Sequence, residues 1–157
     1  MELWELTARE QIRELLAVYA HRVDRGRFDA VADLFGSDGV LDVGEARRVC
    51  GRDAIETFLH GVDAPDPDRA RDPDRAHGAR LAYIRHHVSN VVIELQGRDA
   101  ARVESYFLVV TEHGPDHWGR YRDDVAYDGE RWRFARRVAR TDGAAPGSWA
   151  EQRIARG

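Results

Sequence analysis

Ile12, Leu15, Leu16, Tyr19 and Val23 recur at the three- and four-residue spacing of one helix face, and predict a helix that ends at the Asp24-Arg25-Gly26 break. Thr7, followed three residues later by Glu10, has the spacing of a capping box and places its start. A second, shorter helix is expected from Phe28 to Phe35, turning Val31, Leu34 and Phe35 inward. Ser37-Asp38-Gly39 reads as a turn and Val40-Leu41-Asp42-Val43 as a short strand. A third helix is expected from about Arg52 to Leu59, with Ile55, Phe58 and Leu59 apolar.

The pattern then changes. APDPDRARDPDRAHGAR holds a direct repeat, Asp66-Pro67-Asp68-Arg69-Ala70 and Asp72-Pro73-Asp74-Arg75-Ala76, with alternating charge and no apolar anchor. It predicts a mobile surface loop over 63–80, either a plain insertion or a lid. Four extended stretches follow: Leu81 to Leu95, Ala100 to Glu112, Trp118 to Tyr127 and Arg131 to Arg140. Gln96-Gly97-Arg98-Asp99, His113-Gly114-Pro115-Asp116 and Asp128-Gly129-Glu130 supply hairpin turn chemistry between them. Three helices followed by an antiparallel meander make an α+β plan, with the helices on one face of a curved sheet. The expected domain is 1–142. The Gly/Ala/Pro-rich 143–157 reads as a tail, frayed or packed on a partner subunit.

Composition narrows the function classes. The 157 residues are 43% hydrophobic and 33% charged, enough apolar content for one globular domain. A net charge of −4 offers no electrostatic reason for nucleic acid or an anionic membrane as partner. All basic residues apart from histidine are arginine, so a Schiff-base lysine is excluded. Cys50 is the single cysteine; it allows no intrachain disulfide and reads as a small core residue. MELWELTAREQI lacks the apolar run of a signal peptide, and no stretch approaches the about 20 apolar residues of a membrane span. A cytoplasmic protein is the expectation.

Several residue groups occur in an order that resembles the SnoaL-like, scytalone dehydratase-like branch of the nuclear transport factor 2-like superfamily. They are Tyr19 with Asp24 and Phe28–Phe35, Gly51-Arg52-Asp53-Ala54-Ile55, and Arg85-His86-His87-Val88-Ser89-Asn90. Gly119-Arg120-Tyr121-Arg122-Asp123 and Trp132-Arg133-Phe134-Ala135-Arg136-Arg137 complete the series. The resemblance spans about residues 7 to 141. It implies a cone-shaped cavity between the helices and the concave sheet face, and a homodimer or higher homo-oligomer through the outer face. The branch includes polyketide cyclases, scytalone dehydratase, bile-acid dehydratase and ketosteroid isomerase.

Candidate chemistry falls on a few positions. Tyr19 is either a core tyrosine with one hydroxyl partner or, as the resemblance implies, a pocket donor for an enolate oxygen. Asp24 is a helix-terminal aspartate, badly placed for the helix dipole, that matches the dehydratases' pocket acid. His86 and His87 are neighbours on a strand and point to opposite faces, so one alone sees the concave side. Strand parity groups His86, Val88 and Asn90 on one face, and the family spacing of His to Asn selects His86. A His86–Asp24 dyad would then move a proton near neutral pH.

Tyr121 and Asp123 share a face, either as a pocket pair or as an outer-face pair bonded to Arg136 or Arg137. Asp42 lies where the resemblance places an isomerase base. Tyr121, Asn90 and Asp42 are the candidate substrate contacts. Diverging strand histidines make a metal site a poor reading, and His21, His60, His77, His113 and His117 read as surface residues. Of the tryptophans, Trp132 reads as core.

The function expected is a cofactor-independent acid–base enzyme on a small apolar cyclic, polyketide-like or steroid-like carbonyl compound. Dehydration comes first, isomerisation or cyclisation next. The alternative is a non-catalytic ligand-binding or assembly subunit of the same fold, such as the small subunit of ring-hydroxylating oxygenases.

Overall fold

The computed structural model describes residues 1–44, 47–63 and 83–154. The expected loop over 63–80, with its repeat and His77, lies almost wholly outside these residues. Helix α1 (Leu3–Asp24) starts ahead of the Thr7 box, because Glu2 and Glu5 form a capping box of their own. The Glu2 amide donates to the Glu5 carboxylate at 2.7 Å, while Thr7, already helical, donates its hydroxyl back to the Leu3 carbonyl at 3.0 Å. Gly26, at φ 66°, makes the left-handed turn that ends this helix run.

Helix α2 (Phe28–Ala32) stops short of the expected Phe35. The sheet captures the chain there: the Phe134 amide donates to the Leu34 carbonyl, and Phe35 already stands opposite Phe134. Strand β1 (Phe35–Val43) runs through the expected Ser37-Asp38-Gly39 turn as an irregularity between Phe35 and Val40. A short edge strand, β2 (Arg48–Cys50), was not anticipated, and Cys50 on it is exposed rather than in the core. Helix α3 (Arg52–Asp63) follows.

The meander is β3 (Ile84–Leu95), β4 (Ala100–Thr111), β5 (Gly114–Tyr127) and β6 (Trp132–Ala144). The six strands form one curled, unclosed sheet in the order β2-β1-β6-β5-β4-β3. Among the described residues only the β1–β6 pair is parallel. Strict alternation along β4 buries Ala101, Val103, Ser105, Phe107 and Val109 on the concave face. The apolar face of α1, with Ile12, Leu15, Leu16 and Tyr19, packs there with Phe35, Leu41, Ile55, Val103 and Phe134. Each fully buried aliphatic of this set contributes about 1.5–3 kcal/mol.

The convex face carries Tyr106, Leu108 and Trp118, all exposed, among ion pairs such as Glu104–Arg122 and Arg102–Asp124. The C-terminal segment is not a frayed tail within the described residues. Helix α4 (Trp149–Ile154) packs on β5 of its own domain, with Ala150 buried. Among the described residues no helix is long and apolar enough to cross a membrane.

Candidate functional site

Asp24 is the last residue of α1, where the helix dipole disfavours an acid. Three contacts from one residue of β3 offset that. The His86 backbone amide donates to both carboxylate oxygens, at 3.1 and 3.2 Å, and His86 Nδ1 lies 2.6 Å from Asp24 Oδ1. The side chains are 12% and 8% exposed, so the pair is shielded without being sealed. A carboxylate only accepts, so Nδ1 carries the proton of this bond and Nε2 presents its lone pair away from Asp24. His87 faces outward and is exposed.

A second pair was missed. His117 is not a surface residue: its side chain is 13% exposed and its Nδ1 lies 2.7 Å from Asp116 Oδ1. The cause is a register shift of β5 against β4, where Val109 pairs with His117 but Val110 with Pro115. Asp116 is the inserted residue, so two consecutive side chains turn inward. The Asp116 carboxylate also accepts the Trp149 and Ala150 amides, at 2.9 and 3.2 Å, at the start of α4. The Trp149 ring lies 6.1 Å from that of His117. An acidic residue next to a histidine just after a Gly-Pro turn was the visible signal, but the inserted residue hid which face it took.

His86 and His117 share one cross-strand row, since both pair with Val109 of the strand between them. Two strand spacings put their backbones about 10 Å apart on the concave face. Burial holds the His117 imidazole below its usual pKa; Asp116 pulls it back up, and His86 pushes it down again. Beneath the row lies an aromatic cluster. Tyr121 stacks on Phe107 at 4.7 Å and meets Tyr19 edge-on at 6.4 Å. Burial raises the pKa of both phenols above the usual range, and the Asp24 charge adds to the effect at Tyr121.

Asp123 is a structural partner, but on the concave face rather than the outer one. It takes a two-pronged bond from Arg137, at 2.9 and 2.7 Å, and both side chains are fully buried. Burial raises the Asp123 carboxyl above its usual range while Arg137 opposes the shift.

Two expected contacts lie elsewhere. Asn90 is exposed and left-handed, at φ 53°, inside a β3 irregularity between Ser89 and Val92. The series His86, Val88, Asn90 therefore breaks before its last member. Asp42 is occupied by Arg140 and Arg136, at 2.8 and 3.0 Å, whose hydrogen bonds hold its carboxyl below the usual range.

At the opposite end of α1, about 20–30 Å from Asp24 at the helical rise, Trp4, Gln11, Arg98, Tyr127 and Trp132 line an open groove of ≈ 510 Å³. It holds no acid–base pair. Among the described residues no group of three His, Cys, Asp or Glu side chains is placed to hold a metal.

A family model for the SnoaL-like domain matches residues 4–138. A candidate scytalone dehydratase from Novosphingobium aromaticivorans superposes with a TM-score of 0.75 at 24% identity, over 92% of this chain and 91% of that one. A Nostoc punctiforme protein of unknown function, with a cystatin-like fold, gives 0.70 at 23% identity, over 88% and 93%. ActVI-ORFA from Streptomyces coelicolor gives 0.69 at 16%, over 85% and 96%. At these identities the likeness shows the fold. No curated protein matches the chain in sequence.

Proposed function

The chain belongs to the SnoaL-like domain family, and from that premise we propose that it is a cofactor-independent acid–base enzyme of the dehydratase, isomerase or cyclase type. Its substrate would be a small, largely apolar cyclic carbonyl compound. The observation that supports this best is the 2.6 Å His86–Asp24 contact, in one row with the His117–Asp116 pair on the concave face.

His86 Nε2 takes the proton from the carbon next to the carbonyl. The C–H electron pair forms the enolate, and Tyr19 and Tyr121, whose buried phenols stay neutral, would donate to its oxygen. As the enolate collapses, a β-hydroxyl leaves with the C–O pair and receives the proton from His86, giving water and an enone. Return of that proton to a different carbon would instead shift a double bond. Asp24 fixes the His86 tautomer and stabilises the imidazolium between the two transfers. His117, kept neutral by burial, offers a second lone pair to orient a substrate hydroxyl.

The test is a turnover screen of hydroxylated cyclic ketones with the wild type, followed by His86→Ala and Asp24→Asn. General acid–base catalysis contributes about 10²–10⁴-fold, and a loss in that range is expected for His86→Ala. Full turnover in both variants on an identified substrate would refute the dyad.

A further inference from the structure

Two buried polar atoms on the concave face take no part in either His–Asp pair. Ser105 Oγ and Arg137 Nη1 are shut off from solvent and, among the described residues, have no hydrogen-bond partner of good geometry, although the Arg137 guanidinium lies close enough to the Tyr19 phenol to oppose the rise of its pKa. Native proteins seldom leave such groups unpaired. Both border the Tyr121 ring. Ser105 is the cross-strand partner of Tyr121, which brings their Cβ atoms within about 5.5 Å. The Arg137 guanidinium carbon lies 4.1 Å from the Tyr121 ring centre, 4.1 Å from that of Tyr19 and 4.2 Å from that of Phe134. Its Nε and Nη2 are spent on Asp123, whose carboxylate neutralises the cation and is itself occupied.

What is left over is donor capacity, inside an apolar aromatic cage, with no net charge. We infer that Ser105 Oγ and Arg137 Nη1, beside the phenols of Tyr121 and Tyr19, form a hydrogen-bond-donating floor that takes an uncharged carbonyl oxygen of the ligand. A hydrocarbon would leave both groups unpaired. A carboxylate would bring an uncompensated anion towards the buried Asp123, so the neutral ketone is the class selected. The inference rests on the proposed small-molecule reading, and it adds Ser105 and Arg137 to the donors around the carbonyl oxygen whose neighbouring carbon His86 would deprotonate.

Its test reads binding alone. Isothermal titration compares α-tetralone, a bicyclic aromatic ketone, with tetralin, the same skeleton lacking the oxygen. Infrared difference spectra follow the carbonyl stretch of the bound ketone. The ketone is expected to bind about tenfold tighter, the ratio given by one or two net hydrogen bonds, with its stretch lowered. Ser105→Ala, a small change that leaves the ion pair in place, should cut the ratio several-fold and move the stretch back towards the free value. His87→Ala, on the exposed outer face, should leave both unchanged.

Equal or absent binding of the two compounds overturns the floor, as does a ratio unaltered by Ser105→Ala. A ratio lost equally in His87→Ala would mark a general loss of binding rather than of a local donor and likewise overturn it. Because none of these readouts needs turnover, a failure of the acid–base reading shows separately, as activity kept without His86.

Discussion

His117 resists protonation in the folded chain because burial outweighs the pull of Asp116. The unfolded chain accepts that proton near pH 6.5 or about there. Between the lowered folded value and that point the unfolded state binds more protons, so stability is lost as pH falls below about 6.5. Urea unfolding of wild type and His117→Gln at about pH 7.5 and about pH 5.5 should show the smaller acid loss in the variant. The Asp123–Arg137 pair behaves differently, since both members are fully buried. Asp123→Ala strands the guanidinium and is expected to cost about 3–5 kcal/mol, whereas the double change Asp123→Leu with Arg137→Met should recover most of it. A urea denaturation series on the three proteins measures both numbers.

Elements are tied to the site through single side chains, and that makes their loosening measurable. Asp116 accepts two amides of α4 as well as the His117 ring. Asp116→Ala should therefore cost about 1 kcal/mol, the usual worth of a lost helix cap, and raise amide exchange across α4 while β5 stays protected. Gly119 binds β5 to its neighbours in another way: a Cβ there would stand 2.0 Å from the Arg140 carbonyl oxygen. Gly119→Ala is expected to destabilise by about 1–3 kcal/mol through forced backbone movement, read as a lower thermal midpoint.

The same scale shows what sequence alone could reach. The face of α1 and the Gln96–Asp99 and Asp128–Glu130 turns were legible because their periods and turn residues are local, whereas the expected His113–Asp116 turn falls earlier, with Gly114, Pro115 and Asp116 already in β5. The start of α1 was not, since Thr7/Glu10 and Glu2/Glu5 carry the same three-residue spacing and only the fold chooses between them. Parity placed His86 opposite His87, but each inserted residue resets parity. That is why Asn90 came out exposed and Asp116 with His117 came out buried. The Asp24–His86 contact joins residues 62 apart, beyond any local signal, and was reachable only through the family resemblance. The unpaired Ser105 and Arg137 atoms depend on three-dimensional packing and had no trace in the pattern.

At the scale of the molecule, the sheet is completed by a parallel match between β1, near the front of the chain, and β6, near its end. Closing so long a loop before its contacts form is slow, and refolding in the millisecond-to-second range is expected by stopped-flow fluorescence. Removing residues 132–157 takes away the strand that joins β1 to β5. The shortened chain should lack a cooperative thermal transition.

That late match also sets a schedule for synthesis. A ribosome adds about 5–20 residues per second, so Asp24 emerges several seconds before His117, and β6, the last of the described strands, follows both. A nascent chain in that interval exposes an amphipathic helix and an unfinished sheet edge, which makes it a client for chaperones rather than a partial version of the protein.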